Sequence, residues 1–249
     1  MMRFERVAAL VFVAATVAAA QSGAPWDYRG KQGPVNWGKL DPAYRACSQG
    51  HEQSPVDIRG AHLDKNLAAL QFHFIAGPVT LINDGRTITL QVYPGSTMVA
   101  DGVTYELKNL TFHRPSENAV KGKLTDMDAE LLFRSTDGKM AVVATRMLLD
   151  WGEPNATIAT LWEHLPTKAG TSEKIADMVN PGGLLPADPG YWTFMGSLST
   201  PPCTEGVRWF VFQTPITISR AQLSAYTDIF SMDSRPLQEM HGRKVSANE

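Results

Sequence analysis

The segment LTFHRPSEN (residues 110–118) contains one histidine suited to bind a metal, but no second histidine on the same strand face. Alternate side chains of a β-strand share a face, so a strand that supplies ligands to one metal does so at every second residue. Thr111 stands two residues before His113, where a second imidazole is expected. The segment therefore allows two interpretations: a zinc enzyme, or a protein that keeps only the shell of one.

The sequence predicts that short β-strands position these residues. Segments rich in β-branched and aromatic residues, separated by turn signals such as NDG and STDG, predict strands at 69–74, 78–84, 86–93, 97–102, 103–113, 128–135 and 139–149. Residues 207–218 predict a further long strand or strand pair. Helices are predicted at 156–166, 172–179 and 219–230, the last with Ser219 as its N-cap. The predicted fold class is a β-dominated α+β single domain with a few short surface helices.

Composition and the N-terminal segment restrict the class of protein. The 249 residues are 43% hydrophobic and 19% charged, which is typical of a globular domain, and the formal charge of −2 offers no basic face for nucleic acid. Arg3 and Arg6 precede the apolar run VAALVFVAATVAAA. This pattern predicts a signal peptide at 1–20, a mature domain at 21–249 without membrane attachment, and a periplasmic or secreted location. An uncleaved anchor is the alternative, although the run is short for a span of about 20 residues.

The chain has two cysteines, Cys47 and Cys203. In an oxidising compartment two cysteines favour one disulfide. The alternative is a pair of buried free thiols.

Four motifs, taken in order, resemble an α-class carbonic anhydrase of the secreted bacterial kind. They are WDYRGKQGPVNWG (26–38), QSPVDI (53–58), LSTPPCTEGVRW (198–209) and SRPLQEMHGRKV (234–245). The resemblance implies a twisted, mostly antiparallel sheet of about ten strands with a conical pocket reaching its middle. It also implies that the two cysteines are bonded, as in secreted members of the family.

The resemblance further implies a zinc site, which this sequence departs from. The family binds zinc through three histidines, two in Q-F-H-x-H and one in M-E-x-H, and three neutral imidazoles leave one open position for a water of pKa near 7. The corresponding segments here are NLTFH (109–113) and MDAE (127–130). The ligand positions are therefore Thr111, His113 and Glu130. No cofactor is expected, with weak zinc binding as the alternative.

The surroundings of the ligand positions are changed as well. The family's second-layer Gln and Glu, which orient the ligands, correspond to the shorter Asn109 and Asp128. Glu117 and Ser199 stand where the family has a hydrogen-bonded relay, so the two residues could still form that relay here or remain as structural remnants of it.

Arg86 stands where fast members have a proton-shuttling histidine, and an arginine stays protonated. The residues expected to line the pocket are Thr111, Arg86, Asn118, Leu132, Val142, Leu198, Thr200, Val207 and Trp209.

The remaining histidines do not rebuild a metal site, because none forms an H-x-H or H-E-x-x-H pair. A carboxylate such as Glu130 in a half-apolar pocket is costly unless it is paired or protonated. With His113 and Thr111 it forms either a structural polar plug or a new acid–base pair.

Three functions follow from these alternatives. The first is a carbonic-anhydrase-like pseudoenzyme that binds a small molecule or an unidentified protein partner. The second is a metal-free enzyme that uses Glu130 and His113, with Glu117 and Ser199 as further candidate catalytic residues. The third is a carbonic anhydrase that hydrates CO2 with an unusual, weak metal site.

Overall fold

The structure, a computed structural model, describes residues 23–150 and 154–248. Within these residues the strands are β1 (Asp57–Ile58), β2 (His62–Leu63), β3 (Gln71–His73), β4 (Gly77–Asn83), β5 (Ile88–Gln91), β6 (Thr97–Ala100), β7 (Val103–His113), β8 (Ala119–Val120), β9 (Met127–Ser135), β10 (Met140–Leu149), β11 (Thr171–Val179), β12 (Tyr191–Ser197), β13 (Glu205–Phe212), β14 (Ile216–Ile218) and β15 (Ser246–Ala247). The helices are α1 (Trp37–Leu40), α2 (Ala46–Gln49), α3 (Ala156–Trp162) and α4 (Arg220–Thr227). Short 3-10 helices cover Gly30–Gln32, Pro34–Asn36, Pro42–Tyr44 and Pro181–Leu184.

One large sheet organises the molecule. Ten of its strands follow one another in the hydrogen-bonded order β11-β4-β5-β7-β9-β10-β13-β12-β15-β2, and β3, β6 and β14 pair beside this path. Most neighbours are antiparallel, whereas β10 pairs with β13, and β15 with β2, in parallel. The predicted β-dominated fold with a mostly antiparallel sheet and short helices is confirmed.

The predicted helix at 172–179 is wrong, because this segment belongs to strand β11, which pairs antiparallel with β4. Its buried side chains, Ile175 and Val179, are four residues apart. Residues four apart share a face in a strand as well as in a helix, so their spacing did not distinguish the two. Pairing with β4 decides the outcome, because it satisfies backbone groups that would otherwise lie open at the sheet edge.

The predicted cap of α4 is confirmed. The Ser219 hydroxyl accepts a hydrogen bond from the Gln222 N–H at 3.3 Å, and the Gln222 side chain accepts one from the Ser219 N–H at 3.0 Å. This reciprocal pair satisfies two donors at the helix start. Helix α3 ends at Trp162, four residues before the predicted stop at Pro166.

Alternate residues of the central strands pack into two separate hydrophobic clusters. In β10, Ala141 and Val143 belong to the large cluster on one face, and Val142 and Ala144 to a smaller cluster on the other. Burial on both faces explains why this strand reads as a continuous apolar run in the sequence.

A bulge in β7 changes which of its residues face the large cluster. Lys108 is an extra residue between Leu107 and Asn109, at the point where the pairing with β9 shifts. Leu107 before the bulge and Leu110 after it both pack in the large cluster. The inserted residue therefore reverses the alternation along the strand.

The predicted disulfide is confirmed: Cys47 and Cys203 are bonded, with their Cα atoms 5.0 Å apart. Both sulfurs pack in a third hydrophobic cluster with Tyr28, Trp37 and Tyr44. The bridge joins this N-terminal cluster to the loop that follows β12.

None of the helices within residues 23–150 and 154–248 combines the length and the apolar character needed to cross a membrane. The signal peptide predicted at residues 1–20 lies outside the described residues.

We predict that replacing both Cys47 and Cys203 by alanine lowers the free energy of unfolding by about 2–5 kcal/mol, because the bridge closes a long loop in the unfolded chain. The midpoint of urea denaturation measures this. Dithiothreitol should lower the midpoint of the unmodified protein and leave that of the double variant unchanged. Equal midpoints for the two oxidised proteins would contradict a stabilising role of the bridge.

Candidate functional site

Thr111, His113 and Glu130 meet at the floor of one cavity, as the sequence predicts. Strands β7 and β9 pair so that Thr111 lies directly opposite Glu130. His113 follows Thr111 by two residues and shares its face. All three side chains line the cavity.

His113 is held as a neutral imidazole of defined tautomer. Its Nδ1 lies 2.8 Å from the carbonyl oxygen of Asp233, which can only accept, so Nδ1 carries the proton. Nε2 lies 3.2 Å from the Thr111 hydroxyl and therefore accepts from it. The ring is 2% exposed, and this burial lowers the pKa of His113 to about 4.

Glu130 is a buried carboxyl with one oxygen unpartnered. Ser199 lines the same cavity, but Oε1 of Glu130 has no hydrogen-bond partner among the described residues. Burial first, and then the nearby charges of Asp128 and Glu117, raise the pKa of Glu130 well above its usual value. Glu130 Oε2 lies 3.8 Å from His113 Nε2, an ion-pair distance. The directions of the two pKa shifts nevertheless favour a neutral carboxyl beside a neutral imidazole.

The relay between Glu117 and Ser199 is not formed. Glu117 Oε1 accepts a hydrogen bond from the Arg235 N–H at 3.0 Å, and Oε2 has no partner in the described part of the chain. Ser199 lines the cavity instead, as Glu130 does.

Asp128 and Glu117 form a second buried acidic layer behind the floor. Asp128 Oδ2 accepts from the Glu117 N–H at 2.9 Å, and Asp128 Oδ1 is unpartnered within the described residues. Burial is the main cause that raises the pKa of both carboxyls. Neither Glu117 nor Asp128 lines the cavity, so of these three buried carboxyls only that of Glu130 is presented there.

Two cross-strand rows give the cavity one polar side and one apolar side. In the first row Thr89 of β5 lies opposite Thr111, and Thr111 opposite Glu130. The second row runs through Asn109, Leu132, Val142 and Trp209. The cavity has a volume of about 250 Å³ and is lined by Trp26, Asp84, Thr87, Thr89, Asn109, Thr111, His113, Glu130, Leu132, Val142, Leu198, Ser199, Thr200, Pro201 and Trp209.

Three residues expected in the pocket do not line it. Arg86 lies against the ring of Trp26, 4.4 Å from its centroid, and forms an ion pair with Asp84 at 2.9 Å. Asn118 turns inward, where its Oδ1 accepts from the Val56 N–H at 2.9 Å. Val207 is fully buried in the smaller hydrophobic cluster.

Sequence reasoning missed Trp26, Asp84, Thr87, Thr89 and Pro201 as lining residues. Thr89 could have been found from the sequence. It lies in the predicted strand 86–93, and alternation along a strand that pairs with β7 places a polar residue beside Thr111. Trp26 and Asp84 lie outside the strands, so alternation does not locate them.

The residues at the floor do not fit the zinc site that the resemblance implies. Within the described residues, no three His, Cys, Asp or Glu side chains are grouped so that they could hold a metal ion. One imidazole and one carboxyl converge, and the third position offers only a hydroxyl that already bonds to His113 Nε2. A structural or catalytic zinc site takes at least three strong protein ligands.

Comparisons with known proteins agree on one family. The sequence profile of the eukaryotic-type carbonic anhydrases matches residues 32–249. A carbonic anhydrase from Klebsiella pneumoniae is 40% identical over 223 residues, which cover 88% of this chain and 89% of that protein. The structure of an α-carbonic anhydrase from Thermovibrio ammonificans with the inhibitor sulfanilamide aligns with a TM-score of 0.87 and 34% identity, over 90% of this chain and 99% of that one. The structure of dioscorin complexed with ascorbate aligns with a TM-score of 0.82 and 29% identity, over 90% and 97%.

We predict that Glu130→Gln makes the protein more stable at alkaline pH. A carboxyl whose pKa is raised in the folded state stabilises the fold fully below its unfolded pKa, near 4.3, and this contribution is lost as pH rises through the folded pKa. Gln does not titrate, so the variant avoids this loss. At pH 8 we therefore expect Glu130→Gln to have a higher free energy of unfolding than the unmodified protein, with a smaller difference at pH 5.

Urea denaturation at pH 5 and pH 8 tests this prediction. Glu173→Gln, on the exposed part of β11, removes the same charge away from the cavity and should leave the difference between the two pH values unchanged. A Glu130→Gln variant that loses the same stability as the unmodified protein between pH 5 and pH 8 would show that Glu130 is already ionised at low pH.

Proposed function

This chain belongs to the eukaryotic-type carbonic anhydrase family, and we propose that it binds a small molecule in its pocket instead of hydrating CO2 at a three-histidine zinc site. The observation that carries this proposal is the pairing of Thr111 with Glu130 at the cavity floor. Both residues stand at positions where the family resemblance places a zinc ligand. His113 is the one imidazole left.

The hydrogen bonds of the floor engage the histidine that a metal would need. The Nε2 lone pair of His113 accepts from the Thr111 hydroxyl. Glu130 Oε2 lies 3.8 Å from the same nitrogen. The shorter Asp128 leaves one oxygen without a partner, so the support that orients a ligand in a second layer is weakened.

The cavity itself supports ligand binding. It has polar groups along one side, a wall of Leu132, Val142 and Trp209 along the other, and a volume of about 250 Å³. Apolar lining with a few placed polar groups is typical of small-molecule sites. The alignment with dioscorin, whose structure was solved with ascorbate, agrees with a small-molecule role for this fold.

A second candidate function is acid–base catalysis without a metal. It is favoured by one observation: His113 and Glu130 lie 3.8 Å apart in the same cavity, and their pKa values are shifted in opposite directions. Such a divergence is a feature of acid–base pairs in enzymes. The relatives named as carbonic anhydrases favour CO2 hydration instead. The zinc content of the purified protein decides between these functions.

We also propose that the protein is exported. The Cys47–Cys203 bridge supports this, because structural disulfides persist mainly in oxidising compartments.

We predict that the purified protein contains little zinc and hydrates CO2 no faster than the uncatalysed reaction. The double variant Thr111→His/Glu130→His restores three imidazoles and should gain stoichiometric zinc. It should also gain slow hydration, since position 86 is an arginine and cannot relay protons. Elemental analysis of protein equilibrated with zinc and dialysed, followed by stopped-flow CO2 hydration, measures both quantities.

The matched control is Thr111→Ser/Glu130→Gln, which alters the same two positions without adding an imidazole and should not gain zinc. Stoichiometric zinc together with rapid hydration in the unmodified protein would refute the proposal and establish a carbonic anhydrase with an unusual site. A folded double variant that binds no zinc would show that the pocket has diverged beyond its ligand positions.

A further inference from the structure

We propose that the floor of the cavity binds the protonated nitrogen of a small organic amine, with Glu130 as its counter-ion and the apolar row as the wall for its hydrocarbon part. This inference deepens the proposed function and rests on it, since it assumes a cavity without zinc. It specifies the chemical class of the ligand, which is a positively charged organic molecule.

The charges that line the cavity are acidic. The ionisable lining residues within the described part of the chain are Asp84, His113 and Glu130, and no Lys or Arg is among them. His113 is neutral, because its Nδ1 proton is donated to the Asp233 carbonyl and its pKa lies near 4. Arg86 does not line the cavity, and its guanidinium forms an ion pair at 2.9 Å with the Asp84 carboxylate, which does.

Glu130 has an acceptor that the protein leaves unused. The residue is 5% exposed, it lines the cavity, and its Oε1 has no hydrogen-bond partner among the described residues. A buried polar atom without a partner is costly. Oε1 itself is closed to solvent, so a ligand's N–H removes that cost once the carboxyl turns about its last torsion and presents Oε1 to the cavity. An ammonium group supplies both the donor and the positive charge that an ionised carboxylate requires.

The carboxyls behind the floor also favour a cation over an anion in the cavity. Glu117 and Asp128 are both buried, and each has an unpartnered oxygen within the described residues. An anion would meet acidic groups at the floor and gain no cationic partner from the lining.

Loss of a metal would reverse the electrostatic preference of this pocket relative to a zinc enzyme. A bound zinc ion carries two positive charges and is the largest local charge of such a site. Here an imidazole position has become a carboxyl, Glu130. A floor that presents this carboxyl, with no dication beside it, should therefore prefer a cation.

The two cross-strand rows define how the ligand lies. The ammonium group contacts Glu130 in the polar row, with the hydroxyls of Thr111 and Thr89 beside it. The hydrocarbon part packs on Leu132 and Val142 of the neighbouring row. A volume of about 250 Å³ is below the roughly 300–1,000 Å³ of pockets for drug-sized ligands, which indicates a compact amine.

Three probes of nearly equal size and different charge test the proposal on the unmodified, metal-free protein: benzylamine, benzyl alcohol and benzoate. Isothermal titration calorimetry at pH 7.5 should give benzylamine an affinity at least about tenfold above that of benzyl alcohol, the order expected for a charged hydrogen bond. Benzoate should show no measurable binding. A preference for benzoate, equal affinity for all three probes, or binding of none would overturn the inference.

Glu130→Gln assigns the effect to one side chain. It should lower the benzylamine affinity at least about tenfold and change the benzyl alcohol affinity by less than about twofold. Glu173→Gln removes a carboxylate far from the cavity and should change neither affinity. An unchanged benzylamine affinity in Glu130→Gln would overturn the inference, whereas the probe series on the unmodified protein needs no variant to fold.

The zinc content separates this inference from the function on which it rests. Zinc-free protein that prefers benzoate would overturn the amine proposal and leave the loss of the zinc site intact. Protein that retains stoichiometric zinc would refute both. In the zinc-loaded Thr111→His/Glu130→His variant the preference should reverse towards benzoate, because a dication replaces the carboxyl at the floor.

Discussion

The pairing of β7 with β9, offset by the extra residue Lys108, is the constraint on which the site depends. Side chains of a strand alternate between faces, so one inserted residue moves every later side chain to the opposite face. Without the bulge, Asn109, Thr111 and His113 would point into the large hydrophobic cluster, and Leu110 and Phe112 would point into the cavity. The polar floor and the core that supports it are therefore set by the same backbone irregularity.

The floor and the layer behind it also bring three buried carboxyls close together. Glu130, Glu117 and Asp128 are buried within one region, and burial raises the pKa of each. A fold selected only for stability would place apolar side chains there, since unpaired carboxyls are expensive away from water. The backbone N–H groups of Arg235 and Glu117 each satisfy one oxygen, of Glu117 and of Asp128, and so offset part of that cost.

Much of the fold was predictable, and the reasons for the failures are physical. Residues 103–113 are a strand over the predicted range because their residue types favour a half-buried pleated surface. The same reasoning failed at 172–179, where the spacing of Ile175 and Val179 suits helix and strand alike and long-range pairing with β4 decides. Alignment of motifs located Thr111, His113 and Glu130 correctly. It could not foresee that Glu117 would bond to the Arg235 N–H and not to Ser199, because that choice depends on atomic distances between groups from separate elements.

The Cys47–Cys203 bridge has a consequence for how the pocket is assembled. Leu198, Ser199, Thr200 and Pro201 line the cavity, and they belong to the loop that the bridge anchors. A newly synthesised chain is reduced, so strand pairing can create the polar and apolar rows before this wall is covalently fastened. Sheet formation and completion of the pocket are then separate steps in maturation. Retention of a ligand would report that oxidation has finished, rather than that the sheet has folded.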